Sequence, residues 1–191
     1  MRAVNNMEDL VKIINSLPKS KPLIIGIDGR CASGKTTIAA RLQTETGCAV
    51  FHMDDFFLRP EQRTEKRLQA PGENVDHERF LEEVMLPLKR GEDPVVYRPY
   101  DCRIQALREE VSAETAAVNI VEGSYCMHPS LWEFYDLRVF LTVDPEEQMR
   151  RIIRRNGEEN AEMFRDRWIP LEEKYFSAFD IASRCDICMK T

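Results

Sequence analysis

The stretch that decides the fold reads LIIGIDGRCASGKTT and covers residues 23–37. It begins with a continuous apolar run over residues 23–27, which is typical of a strand buried on both faces of a parallel sheet. A glycine-bounded loop follows, and from Thr36 an apolar period of helical spacing continues to Gly47. The sequence therefore predicts a strand, a loop and a helix in that order.

The loop matches the pattern G-x-x-x-x-G-K-[ST] over residues 29–36. Its glycines let successive backbone N–H groups turn inward around a phosphate, and the following helix adds its positive end. In this pattern the Lys35 ammonium reaches the β- and γ-phosphates, and the Thr36 hydroxyl ligates Mg²⁺. The pattern predicts a bound nucleoside triphosphate. The predicted binding residues are Gly29, Arg30, Cys31, Ala32, Ser33, Gly34, Lys35, Thr36 and Thr37.

Length and charge limit the other possibilities. A chain of 191 residues favours one domain. The 33 acidic against 27 basic residues give a net charge of −6, which argues against long nucleic acids as partners. No run approaches the roughly 18 apolar residues of a membrane span, and no secretory signal is evident, so we expect a cytoplasmic protein without a membrane partner. The six scattered cysteines favour reduced thiols, with Cys185 and Cys188 near a terminal strand.

Apolar runs alternate with helix-compatible chain along the sequence. The five runs cover residues 23–27, 48–53, 116–121, 137–143 and 181–189. This alternation predicts an α/β fold with an open, five-stranded parallel sheet and helices on both faces. Amphipathic spacing predicts an N-terminal helix within residues 1–20, and a second helix over residues 76–90 whose last turn Pro87 disturbs.

Two carboxylates are predicted to meet the triphosphate. Asp54 follows the second strand, whose carboxyl end shares an edge of the sheet with the phosphate loop. A carboxylate there can accept the proton of an acceptor hydroxyl and orient it toward the γ-phosphorus, whereas Asp55 is expected to face the other way. Glu122 ends the third run without a second acid beside it, which favours a magnesium site over activation of water. Turn capping by Asp54 and Asp55 is the alternative.

Four arginines fall within six residues of an otherwise acidic chain: Arg150, Arg151, Arg154 and Arg155. At helical spacing they flank an apolar stripe. Such arginines can close over the transferring phosphate and neutralise its developing charge. The alternative is a solvated face paired with neighbouring glutamates.

Taken together, the motifs resemble the uridine kinase and phosphoribulokinase-like branch of the P-loop kinases. The resemblance extends from residue 23 to about residue 189. It implies a nucleoside-kinase-like domain with a lid, ATP with Mg²⁺ as cofactors, and transfer of the γ-phosphate to a sugar hydroxyl. The motifs are the loop over 28–37, Asp-Asp-Phe-Phe at 54–57, Asn-Val-Asp-His at 74–77, Arg-Pro-Tyr-Asp at 98–101, Val-Glu-Gly at 121–123 and the arginine cluster at 150–155.

The resemblance also implies roles for individual residues. Asp54 matches the general base, Glu122 the magnesium-site acid, and Asp76 the carboxylate that holds the ribose. The catalytic set becomes Asp54, Lys35, Arg150 and Arg154, and the magnesium ligands Thr36 and Glu122. The acceptor-binding candidates are Asp54, Phe57, Asp76, His77, Tyr97, Tyr100, Gln105 and Arg150. One kinase domain would cover residues 1–191, with an acceptor-binding insertion at about 54–110 and a lid at about 145–170.

The acceptor stays open at this stage. Val75, Cys102 and Gln105 stand where uridine kinases tend to carry other residues, and such changes alter discrimination between acceptors. The run from Asp54 to Glu61 is also similar to nicotinamide riboside kinases, so that acceptor, or another sugar or vitamin, is an alternative. The alternative from another class of function is a regulatory module that hydrolyses a nucleotide. Formation of a homo-oligomer is left open. His52, His77 and His128 are not spaced for a metal triad.

Overall fold

The computed structural model describes residues 2–4, 6–18 and 20–191. In chain order its strands are β1 (Arg2–Ala3), β2 (Leu23–Gly29), β3 (Ala49–His52), β4 (Val95–Tyr97), β5 (Tyr100–Asp101), β6 (Ala106–Leu107), β7 (Val111–Ala113), β8 (Val118–Glu122), β9 (Leu137–Thr142) and β10 (Ile187–Lys190). Its α-helices are α1 (Met7–Ser16), α2 (Lys35–Thr46), α3 (Glu65–Gln69), α4 (His77–Phe80), α5 (Leu86–Arg90), α6 (Pro145–Asn156), α7 (Glu158–Met163), α8 (Ile169–Ala178) and α9 (Ile181–Arg184).

The main sheet is parallel throughout, with the strand order β1-β10-β9-β2-β8-β3. Four of its five principal strands coincide with apolar runs, and β10 takes only the end of the fifth run, whose first residues form α9. The predicted five-stranded parallel sheet is confirmed. The two-residue strand β1 was not predicted, because two residues are too few to show a period. It pairs with the edge of β10, and α1 begins only at Met7.

Alternate residues of the buried strands face two separate cores. Leu23, Ile25 and Ile27 of β2 pack on the side that carries α1 and α2. Ile24 faces the opposite side, where Phe140 and the α8 residue Phe176 lie. This period of two, with helices on both faces, follows from a strand that is buried along its whole length. Each large apolar side chain buried in this way stabilises the fold by about 1.5–3 kcal/mol.

Two widened helical turns precede prolines. A π-helical turn at Leu81–Met85 joins α4 to α5 just before Pro87, and another at Phe164–Trp168 joins α7 to α8 just before Pro170. Proline has no N–H for the carbonyl four residues earlier and its ring collides with that carbonyl, so a wider turn relieves the conflict. The disturbance from Pro87 therefore precedes the proline, and the prediction that it falls in the last turn is wrong.

Gly29 is fixed by close contact between β2 and β9. Its φ is +140°, and a Cβ atom built there would lie 2.0 Å from the carbonyl oxygen of Leu141. Only glycine fits this position. The close approach fixes where β2 ends and the phosphate loop begins.

Smaller antiparallel pairs, β4 with β7 and β5 with β6, lie in the segment between β3 and β8. Among the six cysteines, all within the described residues, none forms a disulfide, and Cys188 lies in β10. Within the part of the chain that the structure covers, no helix is both long and apolar enough to cross a membrane.

Candidate active site

A cavity of about 1010 Å³ lies at the carboxyl edge of the sheet. Three elements deliver residues to its wall: the loop after β2, the turn after β3 and the end of β8. Helix α6 and the turn that follows α7 form the opposite wall. Ligands bind at this edge in open α/β sheets, because the strand ends bring loops from distant parts of the chain together.

Residues 31–37 of the phosphate loop all line the cavity. The Lys35 ammonium lies beneath the loop and donates hydrogen bonds to the carbonyls of Gly29 and Arg30, at 2.7 and 3.0 Å. Ser33 is fully buried, and its hydroxyl has no hydrogen-bond partner within the described chain. A buried hydroxyl without a partner is costly, so its lack of a partner here indicates a site shaped for a polar ligand.

Gly29 and Arg30 were predicted to bind the nucleotide, but neither lines the cavity. The Arg30 guanidinium turns outward, donating a hydrogen bond to the Thr142 hydroxyl at 2.7 Å and pairing with Glu173 at 2.7 Å. The two residues contribute main-chain carbonyls that hold Lys35. The Arg30 side chain therefore lies outside the cavity, and its contact with the nucleotide stays a prediction.

The predicted magnesium ligands lie together at the floor of the cavity. The Thr36 hydroxyl donates a hydrogen bond to Oε1 of Glu122 at 3.1 Å. The same oxygen lies 2.6 Å from Nδ1 of His52, a contact that raises the pKa of His52. His52 was not predicted at the site, although the register that pairs it with Glu122 across β3 and β8 accounts for the contact.

Asp54 lies in a 3₁₀ turn at Met53–Phe56 and lines the cavity. Burial raises the pKa of its carboxyl, the negative charge of Glu122 raises it further, and Lys35 opposes both effects. Asp55 points elsewhere, where its Oδ2 accepts a hydrogen bond from the Tyr97 hydroxyl at 3.3 Å. Of the two neighbouring acids, Asp54 is the one that a bound molecule can reach.

Most of the predicted acceptor-binding residues lie away from the cavity. Phe57 joins Asp54 on its wall, but Tyr97 bonds to Asp55 and the Tyr100 hydroxyl accepts a hydrogen bond from Arg63 at 3.0 Å. Gln105 is exposed in the turn between β5 and β6. Tyr97, Tyr100 and Gln105 therefore lie outside this cavity, and their contact with the acceptor stays a prediction.

Asp76 and His77 are held by other protein groups. Asp76 caps α4 by accepting a hydrogen bond from the Arg79 N–H at 3.2 Å, and its Oδ2 lies 3.5 and 3.6 Å from Nε of Arg79 and of Arg59. The ring of His77 stacks on His128 with centroids 3.8 Å apart. Neither side chain lines the cavity, and their contact with the acceptor stays a prediction.

Asn74 is a cavity residue that sequence reasoning missed. It lies on the wall with Asp54 and Phe57 and is 7% exposed, yet neither its amide nitrogen nor its oxygen has a hydrogen-bond partner among the described residues. An amide carries two donors and one acceptor, all of which a ligand with hydroxyl groups can satisfy. Asn74 is the first residue of the Asn-Val-Asp-His motif, and this position was the sequence signal that could have identified it as a cavity residue.

Only some of the four arginines of α6 line the cavity, and they are not the pair that was predicted. Arg151, Arg154 and Arg155 line the cavity, and Arg151 donates a hydrogen bond to the carbonyl of Ala32 in the phosphate loop at 3.2 Å. Arg150 pairs with Glu147 at 2.7 Å, and its side chain is 75% exposed. Arg154 and Arg155 lie three and four residues after Arg151 and share its helix face. Arg150 lies four residues before Arg154 at the edge of that face, where its guanidinium pairs with Glu147 and does not line the cavity. Its site role stays a prediction.

Glu172 of α8 connects the segment that follows α6 and α7 to the phosphate loop. The Cys31 N–H donates to its Oε2 at 2.8 Å, and the Ser124 hydroxyl donates to its Oε1 at 2.6 Å. The carboxylate is 5% exposed. It was also missed, because 141 residues separate it from Cys31 in the chain.

Curated relatives of the chain are kinases. Over 150 residues it is 31% identical to the uridine kinase of Oceanobacillus iheyensis, which covers 73% of this chain and 68% of that enzyme. Over 139 residues it is 32% identical to human nicotinamide riboside kinase 1, which covers 69% of this chain and 64% of that protein. It is 26% identical over 165 residues to uridine kinase-like protein 5 of Arabidopsis thaliana, of whose length it spans 35%.

Solved structures share the fold. The structure of a possible uridine kinase from Bacillus stearothermophilus matches 96% of this chain and 96% of its own, with a TM-score of 0.69 and 23% identity. No protein-family model matches the chain.

Proposed function

Because this chain belongs to the uridine kinase-like family of P-loop kinases, we propose that it transfers the γ-phosphate of ATP to a hydroxyl group of a small molecule. The acceptor class that we propose is a ribonucleoside, with uridine as the first candidate. The observation that carries the proposal is the Asp54 carboxylate, which lies on the wall of the cavity formed by the phosphate loop. A proton acceptor and a triphosphate cradle on one cavity are the two parts that phosphoryl transfer needs.

The residues present fit ATP and Mg²⁺. The Ser33 hydroxyl, which has no hydrogen-bond partner among the described residues, and the buried Lys35 suit phosphate oxygens. Thr36 and Glu122 offer oxygen atoms 3.1 Å apart, the donor type that Mg²⁺ prefers. When bound, Mg²⁺ neutralises charge on the β- and γ-phosphate oxygens.

In the proposed step Asp54 accepts the proton of the acceptor hydroxyl. The electron pair of that hydroxyl oxygen forms the new bond to the γ-phosphorus, while the bond from the γ-phosphorus to the β,γ-bridging oxygen breaks and ADP leaves. Burial raises the pKa of Asp54, which brings this base closer to the pH at which it works. Lys35 opposes that shift and keeps the ionised form accessible.

The acceptor side of the cavity favours a molecule with adjacent hydroxyl groups and a ring. The Asn74 amide has no partner in the described chain, and ribose hydroxyls both donate and accept hydrogen bonds. Phe57 provides an apolar surface beside Asp54, against which a base can pack. The names of the relatives point to the same class, because uridine and nicotinamide riboside are both ribonucleosides.

Nicotinamide riboside is the second candidate acceptor. The identity to the human kinase of that name, 32%, is similar to the identity to the bacterial uridine kinase. The run from Asp54 to Glu61 carries the same resemblance. The two acceptors share a ribose and differ in the base, so the base side of the cavity decides between them.

A coupled assay of ADP release across a panel of acceptors tests the proposal. The panel includes uridine, cytidine, nicotinamide riboside, adenosine and simple sugars, each with ATP and Mg²⁺. We expect at least one ribonucleoside to raise the rate tenfold or more over the rate without acceptor. Slow ADP release that no acceptor changes would favour the nucleotide-hydrolysing module and contradict the kinase.

A further inference from the structure

His52 contacts the predicted magnesium site from outside the cavity. It is the last residue of β3, and the register of the sheet pairs it with Glu122 at the end of β8. Nδ1 of its ring lies 2.6 Å from Oε1 of Glu122, and its side chain is 40% exposed. His52 does not line the cavity, whereas Thr36, Asp54 and Glu122 do. The proposed reaction assigns no role to His52.

The contact occupies one oxygen of Glu122. An ionised carboxylate offers only acceptors, so Nδ1 of His52 carries the hydrogen and donates it. The Thr36 hydroxyl donates to the same oxygen at 3.1 Å. Hydrogen bonds to an ionised acceptor are stronger than those between neutral groups, which suits a carboxylate that is only 4% exposed. Both bonds end on Oε1, so Oε2 is the oxygen left for a ligand.

The ends of the two strands fix where this pair lies. Gly123, which follows Glu122, has a φ of +137°, and a Cβ atom built there would lie 2.8 Å from Cβ of Met53. The main chain after β8 therefore packs directly against the residue that follows His52. Because both main chains are fixed here, the hydrogen bonds at Oε1 determine how the Glu122 side chain is oriented.

Repulsion between two acids makes this orientation matter. The negative charge of Glu122 raises the pKa of the Asp54 carboxyl, so each acid opposes the ionised form of the other. His52 acts in the opposite direction on Asp54. Without the donor from His52, one of the two hydrogen bonds on Oε1 is lost, and repulsion favours a rotation of the Glu122 carboxylate away from Asp54.

We propose that His52 is a positioning residue of the magnesium site and acts through Glu122. It leaves Oε2 of Glu122 free and keeps Oε1 bonded to the Thr36 hydroxyl, so that both residues can present oxygen to one cation. Partners that orient metal-binding side chains from outside are typical of metal sites, and their removal weakens metal affinity about 10- to 100-fold. The inference rests on the proposed function, because Mg²⁺ enters this site with ATP.

Binding of Mn²⁺ to the full chain tests this role without measuring turnover. Mn²⁺ takes the same oxygen ligands as Mg²⁺, and its EPR spectrum separates free from bound ion. The affinity for Mn²⁺ is measured on the complex of the chain with a non-hydrolysable ATP analogue. We expect His52→Leu, which fills similar space without a donor, to lower this affinity about tenfold. Affinity for the analogue in EDTA should stay within about twofold of the parent value, because His52 does not line the cavity.

Two further variants separate positioning from packing. His52→Asn places an amide nitrogen as many bonds from Cα as Nδ1 of histidine, so the affinity for Mn²⁺ should return to within about threefold of the parent value. In a Glu122→Gln background, His52→Leu should lower the affinity for Mn²⁺ by no more than about twofold, because His52 acts through Glu122. Circular dichroism checks that each variant folds, and His52→Ala replaces His52→Leu if the latter does not.

The positioning role is overturned by a parental affinity for Mn²⁺ in His52→Leu, or by a loss in His52→Asn as large as that in His52→Leu. A full tenfold loss in the Glu122→Gln background overturns it as well. If the parent complex binds no more Mn²⁺ than the free analogue does, the magnesium site of the proposed function fails together with this role. Equal affinities in the parent chain and all His52 variants overturn the role of His52 alone.

Discussion

Replacing Glu172 by alanine is expected to lower the free energy of unfolding by about 2–4 kcal/mol. The carboxylate accepts two short hydrogen bonds, from the Cys31 N–H and the Ser124 hydroxyl, and only 5% of the residue is exposed. Hydrogen bonds to charged groups contribute about 1.5–3 kcal/mol each, and a buried donor left without a partner costs about 1–3 kcal/mol. The expected loss of unfolding free energy is smaller than the sum of these contributions, because Ser124 is only half-buried and its hydroxyl can bind water once Glu172 is gone.

Two variants sharpen this prediction. Glu172→Gln keeps an oxygen for the Cys31 N–H and an amide that can donate to the Ser124 oxygen, so its loss should stay within about 1 kcal/mol. Glu173→Ala removes only the neighbouring, part-exposed pair with Arg30 and should cost less than about 1 kcal/mol. Urea unfolding gives the free energies, and the KM for ATP should rise most in Glu172→Ala. A loss of unfolding free energy in Glu172→Ala no larger than that in Glu173→Ala would contradict this role for Glu172.

Three further predictions concern the arginines, the base and a buried tyrosine. Arg154→Ala should lower kcat/KM for ATP about tenfold or more, because it removes a charge from the cavity wall. Arg150→Ala removes a charge from the exposed face, so kcat/KM should stay within about twofold of the parent value. Equal effects of the two substitutions in steady-state kinetics would contradict the assignment. Burial raises the pKa of Asp54, and the base must be ionised to act. As the pH is lowered, kcat/KM for the acceptor should therefore begin to fall above pH 3.8, the ordinary pKa of an aspartate. A pH profile of kcat/KM that stays flat down to pH 4 would refute this. Tyr175→Phe removes the donor to Oδ2 of Asp28 at 2.9 Å and should cost about 1.5–3 kcal/mol at pH 8. Burial raises the pKa of Asp28 to about 6, so stability from this group is present below pH 3.8 and is lost as the pH rises through about 6. The ionised carboxylate needs its donor most, so urea unfolding should show a smaller loss at pH 5 than at pH 8, and equal losses would count against this account.

The sheet and the phosphate loop could be predicted because their signals are local. A buried parallel strand is a continuous apolar run, and the loop after β2 is one uninterrupted motif. Asp54 could be placed for the same reason, since it directly follows a strand whose carboxyl end has a known location. The strand β1 left no signal, because its pairing depends on the free edge of β10 and not on its own two residues.

The acceptor side could not be predicted from motifs, because partners in space decide where each side chain points. Asp76 stands in the expected motif, but Arg59 and Arg79 surround its carboxylate and Asn74 faces the cavity instead. The helix face of α6 that lines the cavity is set by packing, so the period alone could not select Arg151 over Arg150. His77 and His128 are 51 positions apart in the chain, so their spacing could not indicate that the two rings stack.

In the proposed reaction Asp54 accepts the proton of the acceptor hydroxyl as the γ-phosphate moves from ATP to the acceptor. Single-turnover formation of the acceptor monophosphate, followed by mass spectrometry, tests it in the parent chain and in the Asp54→Asn and Asp55→Asn variants, with ATP binding measured in parallel. We expect Asp54→Asn to lower the rate at least a thousandfold while ATP affinity stays within about threefold, and Asp55→Asn to keep most of the rate. Equal loss in both variants, or a monophosphate formed by Asp54→Asn at the parental rate, would contradict the assignment.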